Sequence, residues 1–123
     1  MLKIKAKNLG TVAILCLQGR IVRGETEVLR EVVHSQSGVR AVVLDFARVS
    51  MVDAGGLGLM LELREQTQAK GIDFKLMNVT TLVSWVLEIT RLNSVFEVTS
   101  GAEILSAVSC GRPVSAMELA RCA

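Results

Sequence analysis

The stretch Val42-Val43-Leu44-Asp45-Phe46-Ala47-Arg48-Val49-Ser50-Met51-Val52-Asp53-Ala54-Gly55-Gly56-Leu57-Gly58-Leu59-Met60-Leu61 decides the fold. Its apolar run before Asp45 is too short to cross a membrane and suits a central strand, whereas Leu57, Met60 and Leu61 open a helical pattern. Between them lies the tight polar turn Asp53-Ala54-Gly55-Gly56. Asp53 is a favourable N-cap, because its carboxylate accepts from the free amides that open a helix and complements the positive end of the helix dipole. The two glycines let the backbone turn without a Cβ clash and leave the main chain open to close approach. The functional surface is expected at this turn.

Upstream, Leu2, Ile4 and Ala6 alternate with Lys3, Lys5 and Lys7, the period of a strand with one buried face; its exposed lysines suit a sheet edge. Val12 to Leu17 is apolar at every position, as in a strand covered on both faces, and should pair with the first as a hairpin that Gly19 ends. Glu25 to Ser35 reads as a helix with Val28, Leu29, Val32 and Val33 on one face, stopped by Gly38. His34 falls near its end and is read as solvated. The third strand is expected from about Ala41 to Phe46, with Arg48 to Ser50 leading into the central turn.

Downstream, the second helix should run from about Gly56 to Ala69 and close at Gly71. Ile72, Phe74 and Leu76 alternate with Asp73 and Lys75 as a fourth strand. Thr80 or Thr81 caps a third helix with Leu82, Val86, Leu87 and Ile89 as its core face. Val83 and Trp85 widen that face: either part of the third helix is exposed apolar surface of the kind that marks a partner site, or, the favoured reading, Trp85 packs under the next loop or the tail. Val95 to Val98 reads as a final strand, and Ser100-Gly101-Ala102-Glu103 as the capping box of a fourth helix carrying Ile104, Leu105 and Val108. The expected fold is α/β: a mixed β-sheet, with an opening hairpin and then alternating strands and helices, flanked by about four α-helices. Residues 1–108 form one domain in this reading. Gly111-Arg112-Pro113 breaks the last helix, and residues 109–123 are left as a tail, a short helix or disordered.

A chain of 123 residues fits one domain, which at this size buries roughly two-thirds of the surface that its unfolded chain exposes. Hydrophobic residues make up 50%, charged residues 21%, and the net charge of +2 gives only a modest surface field. Lysine and arginine are scattered and aromatics reach 3%, so neither a basic stripe nor a stacking platform for nucleic acid is present. Without a Cys-x-x-Cys pair and with His34 as the single histidine, no metal site is expected. No cofactor is implied either. Cys16, Cys110 and Cys122 are odd in number and are read as reduced, in the cytoplasm. The opening Met1-Leu2-Lys3-Ile4-Lys5 is neither a signal peptide nor a membrane span.

Leu44-Asp45-Phe46 followed by Val49-Ser50-Met51-Val52-Asp53-Ala54-Gly55-Gly56-Leu57-Gly58-Leu59 resembles the signature of the STAS domains, the anti-sigma factor antagonist family. Leu17 to Ile21, Val86 to Leu92 and Val95 to Val98 support the resemblance, which spans roughly residues 3 to 108. It implies a small mixed sheet flanked by helices, and a partner that is an anti-sigma factor and serine kinase or another protein of a STAS pathway. In the family, phosphorylation of an Asp-Ser-Ser/Thr-Gly motif at the start of the second helix breaks the partnership. Asp53 and Gly56 match that motif, with Leu57 and Gly58 following, but Ala54 and Gly55 do not. Gly55 stands at the acceptor position and cannot be phosphorylated. Arg91 replaces a usual glycine after the third helix, and Val22 a frequently acidic residue near the first.

The resemblance therefore implies a non-enzymatic binding module, not switched by phosphorylation at Gly55. Its partner surface would comprise Ser50, Met51, Asp53, Ala54, Gly55, Gly56, Leu57 and Met60, and a homodimer is compatible with it. A subunit of a phospholipid-transport or other multiprotein complex is the alternative in the same family. A third reading, a phosphate-bearing small ligand at the second-helix N-terminus, meets the objection that the Asp53 carboxylate would repel an anion. An enzyme is disfavoured because Asp45 and Asp53 have no histidine or hydroxyl nucleophile arranged with them. Asp45 is expected to satisfy loop amides, and Ser50 to bond local backbone. Restoring the motif with Ala54→Ser and Gly55→Ser should create an acceptor, at a cost if Gly55 uses a positive φ.

Overall fold

In the computed structural model, which describes residues 2–99, β1 (Lys3–Leu9) and β2 (Val12–Ile21) form an antiparallel hairpin. The chain continues through α1 (Glu27–Ser35), β3 (Ala41–Val52), α2 (Ala54–Ala69), β4 (Asp73–Met77), α3 (Thr81–Ile89) and β5 (Glu97–Thr99). The sheet order is β1-β2-β3-β4-β5, so β3 is central, and every pair after the hairpin is parallel. The mixed α/β architecture is the one expected. Three helices lie among the described residues, and the fourth expected helix, from Ser100, falls outside them.

One face of the sheet carries Ala13, Leu15 and Leu17 of β2, Val42, Leu44 and Phe46 of β3, and Phe74 and Leu76 of β4, and it is packed by all three helices. Strand alternation supplies the sheet side of this core, and helical spacing supplies the other: Leu29 and Val33 from α1, Met60 and Leu63 from α2, Val83 and Leu87 from α3. A smaller cluster of Leu9, Val12, Ile14, Cys16, Val43 and Met77 lies on the opposite face and contains no helix residue. Cys16 is disulfide-bonded, which corrects the expectation of a reduced thiol. Cys110 and Cys122 lie outside the described residues.

Two elements depart from expectation near the candidate site. Gly19 does not end β2: it takes φ 115 inside the strand, and register shifts between Cys16 and Gln18 and between Gly19 and Arg20 carry the pairing on to Ile21 and Val52. Arg48 to Ser50 is accordingly strand, while β4 pairs with β3 only as far as Asp45. The core stripe of α3 is also rotated. Val83 and Leu87 are buried, whereas Leu82, Trp85 and Ile89 are 50%, 59% and 59% exposed. Thr81, Ser84 and Glu88 mark a polar side of α3, but the buried Val83 and Leu87 are offset from the middle of the apolar side opposite it. The chain leaves β4 through Asn78 at φ 55 and enters α3 at the Thr80 cap.

Candidate functional site at the start of the second helix

The paired ends of β2 and β3 deliver Asp53 to the N-terminus of α2. The Asp53 main-chain amide donates to the Ile21 carbonyl at 3.3 Å, which anchors the helix entry on the last residue of β2. Asp53 itself is extended (φ −101, ψ −175) and is the N-cap, as expected. Its Oδ1 accepts from the Gly56 amide at 2.9 Å, and Leu57 N donates to the Asp53 carbonyl at 2.9 Å to begin the helical ladder. The Arg23 amide also donates to this carboxylate, at 3.2 Å to Oδ1 and 3.1 Å to Oδ2. The amides of Gly56 first and Arg23 next hold the Asp53 carboxyl below the usual carboxylate range, because they bond the charged form.

The two motif glycines serve different contacts. A Cβ on Gly56 would stand 1.9 Å from the Ile21 carbonyl oxygen, so glycine is what allows α2 to sit directly on the end of β2. A Cβ on Gly55 would meet Arg23, with Cβ at 2.8 Å, Cα at 3.1 Å and N at 3.3 Å. Gly58 has open space around it.

Ser50, Met51 and Ala54 are exposed, and Asp53 and Gly55 are partly so. Gly56 and Leu57 are buried, and Met60 is fully buried in the core. Met60 therefore belongs to the packing behind the surface: about two helical turns past the cap, it packs in the core. Ser50 Oγ donates to the Gly19 carbonyl at 3.2 Å, a side-chain bond to the neighbouring strand across the β2–β3 pair and not to the local backbone expected for it. Asp45 is buried and accepts from Ala47 N at 3.0 Å and from Asn78 Nδ2 at 3.2 Å, tying β3, where its pairing with β4 ends, to the turn after β4. No nucleophile–base pair is formed by these groups. His34 is remote from them, pairing with Gln66 across α1 and α2 beside the Arg30–Glu62 ion pair. Among the described residues no group of three or more histidine, cysteine or acidic side chains could hold a metal ion. No helix among the described residues is long and apolar enough to cross a membrane.

Arg23 is the component that the sequence reading missed. A main-chain donor leaves no mark in residue identity, and the only hint is Gly24, whose positive φ of 91 forms the turn closed by Glu25 N donating to Val22 O at 3.0 Å.

A strand-turn-helix with this cap, in a sheet of this order, can be compared with known proteins. The sequence profile of the STAS domain matches residues 3–104. The chain belongs to the STAS family. This STAS chain is 28% identical over 108 residues to BtrV of Bordetella bronchiseptica, a protein named for anti-sigma factor antagonism, covering 86% of this chain and 93% of that one. Among solved structures, the STAS chain is similar to an anti-sigma factor antagonist from Mycobacterium paratuberculosis (TM-score 0.75, 17% identity, 89% of this chain and 95% of that chain). It is also similar to SpoIIAA in its unphosphorylated form (TM-score 0.71, 20% identity, 87% and 96%). At these identities the structural likeness is one of fold.

Proposed function

We propose that this STAS chain is a non-enzymatic protein-binding module of the anti-sigma factor antagonist type, acting in the cytoplasm. Its partner, an anti-sigma factor of the serine-kinase kind, docks on the exposed Ser50, Met51 and Ala54 and the adjoining Asp53 and Gly55. The observation that carries the reading is the closed start of α2: Asp53 caps Gly56 while position 55, the acceptor position by resemblance, holds a glycine. No hydroxyl stands there to receive phosphate, and the module is constitutively in the unphosphorylated, binding-competent form. The carboxylate on the helix amides also speaks against an anionic small ligand, which would need those donors for itself.

The test is a capture experiment with the wild-type chain and a Met51→Asp/Ala54→Asp variant, which changes only exposed side chains. The wild type should retain an anti-sigma factor identified by mass spectrometry, and the variant should lose it. Incubated with that kinase and ATP, the wild type should gain no phosphate. Labelling at Ser50 would overturn the unswitched reading, and recovery of transport-complex subunits alone would overturn the antagonist reading.

A further inference from the structure

We infer that the Val22–Glu25 turn and any side chain at position 55 exclude one another, so that Arg23 fills the space from which an acceptor side chain would start. The turn is held at two points. Glu25 N closes it on Val22 O at 3.0 Å, and the Arg23 amide is bonded to both oxygens of Asp53. Arg20 Nη2 lies 3.9 Å from Glu25 Oε2 on the same turn. A Cβ at position 55 would meet Arg23 Cβ at 2.8 Å and its Cα at 3.1 Å. Rotating the arginine side chain cannot relieve contacts to Cβ and Cα; the main chain of the turn must move. That movement pulls the Arg23 amide off the carboxylate that caps α2.

Two features that look independent in sequence are thus one device. Glycine at 55 removes the acceptor and also lets the β2–α1 turn close on the helix start, adding Arg23 to the face that the module offers. A chain with a hydroxyl at this position must hold the turn farther out. Gly55→Ser consequently alters the shape of the face as well as its chemistry. The inference concerns the folded chain alone; only the statement that this face meets a partner rests on the proposed function.

Amide exchange and chemical denaturation of the purified chain test it without any partner. In Gly55→Ala the Arg23 amide should exchange about tenfold faster than in the wild type, the scale of one lost hydrogen bond. Gly58→Ala, which adds a Cβ into open space in the same helix, should leave it unchanged. Adding Arg23→Gly to Gly55→Ala removes the atom at 2.8 Å and should recover part of the lost denaturation midpoint. Unchanged Arg23 exchange in a folded Gly55→Ala chain would overturn the inference. If Gly55→Ala does not fold, failure of the Arg23→Gly/Gly55→Ala chain to fold as well would overturn it, since the obstruction would then lie elsewhere.

Discussion

The main-chain amide of Arg23 donates to both carboxylate oxygens of Asp53, thirty positions away in the chain. One side chain therefore does two jobs: it caps α2 through Gly56 and ties down the turn that leads into α1. The charge of Asp53 is directed into amides, which is why its carboxyl is more acidic than usual.

That acidity sets a pH dependence. A carboxyl whose folded-state pKa is depressed contributes stability that is fully present above its unfolded value and is lost as pH falls through the folded one. Thermal unfolding of Asp53→Ala should give a lower Tm than the wild type at neutral pH. The gap should stay constant down to about pH 5 and narrow below about pH 4. A gap that widened toward acid would contradict the amide-bonded carboxylate.

Gly56→Ala should cost at least about 3 kcal/mol in urea denaturation, at the upper end of overpacking effects, because the new methyl would face the Ile21 carbonyl rather than a side chain that can turn away.

Arg91 stands at φ 61 just after α3, at the place where the resemblance has a glycine. Arg91→Gly should raise stability by about 0.5–1 kcal/mol, the left-handed penalty partly offset by the greater freedom of glycine when unfolded. Differential scanning calorimetry reads the change directly.

The rotated stripe of α3 predicts opposite outcomes for near neighbours. Leu87→Ala should cost about 2–5 kcal/mol as a core truncation, whereas Trp85→Ala should cost less than about 1 kcal/mol. Trp85 is the single tryptophan, so iodide should quench the intrinsic fluorescence of the folded chain readily.

Much of this molecule is determined by local pattern. Alternation in Leu2 to Lys7, the apolar run Val12 to Leu17 and the caps at Asp53 and Thr80 place strands and helix starts, because backbone geometry at those positions depends on the residue itself and its near neighbours. The Asp53-x-x-Gly56 spacing likewise announced a capped turn, whereas Asp45, read as a carboxylate for loop amides, lies within β3 and accepts from the strand amide of Ala47 and the side chain of Asn78. Tertiary structure decided the rest, where the controlling partner is distant. The extension of β2 and β3 past Gly19 and Arg48 came from their mutual pairing. The rotation of α3, which buries Val83 and Leu87 and leaves Leu82 and Ile89 exposed, is set by its packing on the sheet and not by its own apolar side. The role of Gly55 was visible as a missing hydroxyl but not as a space. Position 55 is not among the positive-φ glycines, so the cost foreseen from backbone conformation is absent. What constrains it is Arg23, brought against it by a turn thirty-two residues earlier, and a steric contact between two segments is a property of the folded chain that neither segment carries alone.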